Sequence, residues 1–178
     1  MTRTRRSIFR WGPDVKRAAA FAAILVAAAP ALADSADLEG RCFTRVYDDA
    51  HLAAHPGQEV TRMTVYFTSF EDEAIARISF VTRPDGHLFL LAGECADAAG
   101  ALACHVCSGD ASCEWTDESF HIRRSGNDRV TLVNDATGLT AADYGDDGTE
   151  TGGSYTLKVG GESGAFLLSE AAPVKCGE

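Results

Sequence analysis

The chain has 178 residues, 46% of them apolar and 24% charged, with six cysteines and a formal net charge of −10. Beyond residue 33, ten Lys and Arg face twenty-five Asp and Glu, a net charge near −15. That balance excludes nucleic-acid binding, which needs clustered basic side chains, and an anionic membrane surface would repel it.

Residues 1–33 read as an export signal. Arg3, Arg5, Arg6, Arg10, Lys16 and Arg17 form a basic head and residues 18–29 an apolar core. Pro30-Ala31-Leu32-Ala33 ends in the small-x-small pattern of a cleavage site. The core is shorter than the roughly 20 residues that span a bilayer, so the mature chain is expected to hold no transmembrane segment. A twin-arginine pattern also runs from Thr4 to Arg10. Pro13 and Asp14 separate it from the apolar core, which favours general secretion. Cleavage after Ala33 leaves residues 34–178 as one domain, periplasmic or extracellular.

Residues 38–46 suit a first strand carrying Cys42. Residues 48–55 suit a short helix, with Asp48 or Asp49 as cap and Pro56-Gly57 as stop. From Val60 the period is two. Met63, Val65 and Phe67 alternate with Arg62, Thr64, Tyr66 and Thr68, and Ala76, Ile78 and Phe80 alternate with Arg77 and Ser79. Residues 87–95 place His87, Phe89, Leu91, Gly93 and Cys95 on one face, and Ala99-Gly100 turns the chain into residues 101–107. Further strands are expected over 118–124, 129–134, 154–159 and 165–169, with 143–153 an acidic, glycine-rich loop.

Short strands joined by tight turns specify an all-β fold. The expectation is an antiparallel meander closing as a barrel of about eight strands, with a two-sheet sandwich as the alternative. All six cysteines lie beyond the export signal, where three disulfides are the default. A hairpin at Ala99-Gly100 sets Cys95 opposite Cys104. Cys107 and Cys113 close a tight loop, which leaves Cys42 and Cys176 to join the first and last strands.

The run Cys42-Phe43-Thr44-Arg45-Val46-Tyr47-Asp48, followed by His51-Leu52 and His55-Pro56, resembles the opening of a family of small secreted proteobacterial proteins of unknown function. Gly93-Glu94-Cys95 and the terminal cysteine fit the same pattern. The resemblance implies export and no particular activity.

Little else carries chemistry. Cys104-His105-Val106-Cys107 has the spacing of a redox pair, and with Cys113 it could ligate zinc, but its flanks are strand and turn. His51 and His55, four apart on the helix, are candidate ligands for a divalent transition metal, with Asp48, Asp49 or His87 as further donors. The plain alternative is a capped helix ending at His55. Residues 143–150 offer oxygens of the kind calcium prefers, without EF-hand spacing. There is no nucleophile elbow and no phosphate-binding loop. The reading is therefore an exported, non-catalytic binding protein for a small molecule or a protein partner, inhibitor-like in the second case. Tyr47, Tyr66, Trp115 and Tyr144 are its natural contacts. A periplasmic metal-binding protein and a structural cell-envelope component are the alternatives.

Overall fold

The computed structural model describes residues 37–177 apart from 84–85, 109–112, 136–137, 146–147 and 159–163, so the expected export signal of residues 1–33 lies outside the described residues. Strands follow one another almost without interruption. They are β1 (Cys42–Val46), β2 (Val60–Phe70), β3 (Glu73–Thr82), β4 (Leu88–Ala98), β5 (Ala101–Ser108), β6 (Glu114–Arg124), β7 (Arg129–Asn134), β8 (Leu139–Tyr144), β9 (Glu150–Leu157) and β10 (Ala165–Ala171). A six-residue helix, α1 (Asp49–Ala54), follows β1, and a 3-10 turn (Pro173–Cys176) follows β10. The Asp48 side chain accepts the His51 amide hydrogen at 2.7 Å and caps α1.

Eight strands close an antiparallel barrel in the order β3-β2-β1-β10-β7-β6-β5-β4, with β4 returning to β3. The expected barrel is therefore present, and first and last strands are neighbours, with Cys42 opposite Ala171. Closure leaves these eight strands without a free edge. Two hairpins are as tight as backbone allows. Glu71 and Asp72 both have positive φ at the β2–β3 turn, as do Ala99 and Gly100 at the β4–β5 turn. Positive φ at both central residues defines the turn whose twist matches paired strands.

Alternation decides what lies inside. Met63, Val65 and Phe67 of β2, Ala76, Ile78 and Phe80 of β3, and Phe120 and Ile122 of β6 are all buried. Phe43, Leu102, Leu132 and Phe166 complete the filling. An eight-stranded barrel is just wide enough for side chains to fill, and this one is filled. Gly93 shows how tightly: a Cβ there would stand 2.6 Å from Cε1 of Phe120.

The hairpin β8–β9 leaves the barrel. Leu88, Phe89 and Leu90 of β4 pair with β8, whereas Gly93 onward pairs with β5, so the sheet forks along β4. The hairpin folds over the barrel end where β2 begins. Leu139, Ala141 and Leu157 are buried there, and Tyr155 packs on Phe80 and Phe89 with ring centroids 5.9 and 5.0 Å away. The Tyr155 hydroxyl donates to Glu59, and burial together with that carboxylate pushes the phenol well above its ordinary pKa. At the opposite end Leu38 is fully buried beside the close of β2, where Gly40 donates its amide to the Phe67 carbonyl.

All three disulfides form as the spacing indicates: Cys42–Cys176, Cys95–Cys104 and Cys107–Cys113. No cysteine is left free, which is the chemistry of an oxidising compartment outside the cytoplasm. Among the described residues, no helix is long and apolar enough to cross a membrane.

Candidate functional site

Because the lumen is filled, a ligand has to meet the outer face. The alternation that sends Val65, Ile78 and Leu91 inward sends their neighbours outward, and the registers arrange those neighbours in rows. One row runs Thr44, Thr64, Ser79, Leu90, Ala142, Ser154 across six adjoining strands. The next runs Cys42, Tyr66, Arg77, Ala92 and stops at the fork. The third runs Thr68, Ile75, Glu94, His105, Ser119.

The middle of these rows, from Thr64, Tyr66 and Thr68 of β2 across β3 to Leu90 and Ala92 of β4, floors a groove of about 950 Å³. Its far walls are Tyr144, Gly152 and Gly153 of the hairpin, Cys107 and Cys113 of the small disulfide, and Cys176 of the terminal turn. The volume lies at the upper end of the ordinary range for small-molecule sites. The lining is mixed: hydroxyls of Thr64, Tyr66, Thr68, Ser79 and Thr140 stand among Ile75, Leu90, Ala92 and Ala142. Among the described residues, Arg77 is the one cationic side chain lining it. The Thr64 and Ser79 hydroxyls bond to each other, and Glu118 is taken up by the Thr140 amide and hydroxyl, both at 2.6 Å.

At the third row the groove meets a fixed aromatic side chain. Trp115 is 63% exposed, yet it does not wave in solvent. Its ring stacks on His105 with centroids 5.0 Å apart, and its Nε1–H donates to Oε2 of Glu94 at 3.0 Å. Glu94 in turn lies directly opposite Ile75 of the groove floor. Phe70, 57% exposed, lines the same end.

Neither a family model, nor a curated protein, nor a solved structure matches this chain. Fold and site therefore rest on the chain's own geometry.

The metal candidates are divided. His51 and His55 stack with ring centroids 4.3 Å apart, and Tyr47 stacks on His51 at 4.8 Å. Arg45 lies over the Tyr47 ring, and burial raises the Tyr47 pKa although the nearby arginine opposes it. Asp48 is engaged as the helix cap. His87 is elsewhere, with Nδ1 3.2 Å from both carboxylate oxygens of Asp143. Among the described residues, no three His, Cys, Asp or Glu side chains converge as a metal would require.

One constellation has the composition of a catalytic triad without its order. On the outer face, Ser119 Oγ donates to Asp135 Oδ2 at 2.6 Å, and His121 Nδ1 lies 2.9 Å from Asp135 Oδ1. In a working triad the histidine stands between the serine and the acid, so that it can take the hydroxyl proton. Here the acid stands between them.

Two of the four aromatics singled out by the sequence, Tyr66 and Tyr144, line the groove, and Trp115 stands beside it, bonded to Glu94 and paired with the lining residue Cys107. Arg77 was not singled out. Its signal was available in the β3 alternation, where it is the outward charged residue between two inward apolar ones. Nothing in a single strand, however, reveals that Ala92 will face it.

Proposed function

We propose that this chain is an exported, non-catalytic binding protein that holds its ligand on the outer face of the barrel. One observation carries the reading: the lumen is packed with phenylalanine and aliphatic side chains, while the opposite face of the same strands floors a 950 Å³ groove. The export signal of residues 1–33 and the three disulfides supply the setting, a periplasmic or extracellular chain closed against unfolding. Trp115, Tyr66 and Arg77 are of the residue types that dominate binding energy where partners meet.

The test is a thermal-shift screen of the purified protein against small metabolites, repeated on Ala92→Trp, which fills the groove floor from an outward position. A ligand that raises Tm in the wild type and loses its effect in Ala92→Trp supports the proposal. A ligand whose effect survives that substitution places binding elsewhere and contradicts it. The metal-binding alternative at His51 and His55 makes a different forecast, a Tm increase with zinc or nickel that His51→Ala abolishes.

A further inference from the structure

Arg77 is an uncompensated cation on an acidic protein. Among the described residues it makes no hydrogen bond or ion pair, although the chain carries 26 Asp and Glu against 16 Lys and Arg. The carboxylate best placed to neutralise it is Glu94, the diagonal neighbour on the adjacent strand, since Ile75 pairs with Glu94 and Arg77 with Ala92. Such diagonal positions are about 7–8 Å apart, within reach of long side chains. Glu94 is instead turned to the Trp115 indole. Glu118 is held by Thr140, and Glu150 lies three strands away across β4 and β8. Ala92 opposite Arg77 puts no bulk over the guanidinium.

The surroundings extend the same demand. Tyr66 is the direct cross-strand partner of Arg77, and Thr68 and Ser79 flank it, a set of neutral donors and acceptors. Trp115 keeps one face on His105 and offers the other to solvent, with its edge already fixed by Glu94. An aromatic ring immobilised in advance loses little entropy when the C–H face of a sugar ring packs on it. A planar guanidinium fork matches a carboxylate.

We infer that the groove takes a small sugar acid, its carboxylate on Arg77, its hydroxyls on the threonine, serine and tyrosine hydroxyls, and its ring on Trp115. This deepens the outer-face reading above and rests on it. A single carboxylate is specified because the acidic field of the whole chain repels a polyanion.

The experiment is calorimetric titration of the purified full chain with glucuronate, glucose and a trigalacturonate. Glucuronate is expected to bind at least about tenfold more tightly than glucose, as one charge-assisted bidentate contact confers. Trigalacturonate should gain nothing over glucuronate. Arg77→Gln should erase the preference for glucuronate over glucose, and Trp115→Ala should weaken both sugars by a similar factor. Equal binding of glucose and glucuronate, a preference that persists in Arg77→Gln, or no heat with glucuronate would each overturn the inference. Should glucose bind without preference for the acid and be blocked by Ala92→Trp, the sugar-acid inference falls while the outer-face reading stands. Glucuronate binding that survives Ala92→Trp would sink both.

Discussion

Strands β2 and β3 each carry two proteins' worth of character, separated by a one-residue offset. Inward, Met63, Val65, Phe67, Ala76, Ile78 and Phe80 are at most 2% exposed. Outward, Thr64, Tyr66, Thr68, Ile75, Arg77 and Ser79 line the groove. The inner set fixes the fold, because each fully buried phenylalanine or aliphatic side chain contributes about 1.5–3 kcal/mol on leaving water. The outer set is nearly free of that duty, so its chemistry can be chosen for a ligand. Fold and function are thus written in alternate letters of the same segments.

Substitutions that strike one set and spare the other test this division. The largest contrast is expected between Phe120→Ala in the lumen and Leu90→Ala on the groove floor. Deleting the buried ring should cost about 3–5 kcal/mol in urea unfolding, and trimming the outward leucine about 1 kcal/mol or less. Similar losses would erase the division. A smaller contrast sits at adjacent positions of β4. Gly93→Ala drives a methyl into Phe120 and should cost about 1–3 kcal/mol, whereas Ala92→Ser, facing outward, should change stability by no more than about 0.5 kcal/mol.

The smallest effect belongs to a surface tie between chain ends. Arg41 donates from Nε and Nη2 to the two carboxylate oxygens of Glu170 at 2.8 and 2.7 Å. That hydrogen bonding, with the arginine's charge, holds the Glu170 carboxyl below its ordinary pKa. A depressed folded-state pKa contributes stability above the unfolded value, and the contribution is lost as pH falls through the folded value. Arg41→Gln should therefore cost less than about 1 kcal/mol at neutral pH and less still in strong acid, where only the non-titrating contacts to the Asn127 carbonyl and the Phe43 ring are lost. The check is a pair of Tm-against-pH curves whose gap narrows on acidification. Curves that stay parallel would show that Glu170 is not the group involved.

The barrel, the short helix and the disulfide pairing were legible in the sequence because each rests on a local rule. Alternation over 60–82 needs two residues to declare itself, Ala99-Gly100 sets Cys95 against Cys104, and Asp48 stands where a cap must stand. Of the hairpin β8–β9 only residues 154–157 were legible. Residues 143–153 read as loop because Asp and Gly are poor strand formers, yet the structure starts the strand expected at 154 already at Glu150 and pairs Glu150–Leu157 with Leu139–Tyr144. Leu139, Ala141, Tyr155 and Leu157 hold them there by packing over the barrel end, a tertiary contact no local pattern announces. The groove was illegible for the same reason. Tyr66, Arg77, Ala92 and Trp115 come from four strands, and only the registers and the fork at β4 bring them to one face.

The most direct measurement is amide and indole chemical-shift mapping of the labelled protein during a glucuronate titration. The account predicts shifts that saturate together at Tyr66, Arg77, Ala92 and the Trp115 indole, with Phe43, Leu132 and Phe166 in the lumen unmoved. Shifts confined to the lumen residues, or to His51 and His55, would contradict the claim that this protein binds on the outside of its barrel.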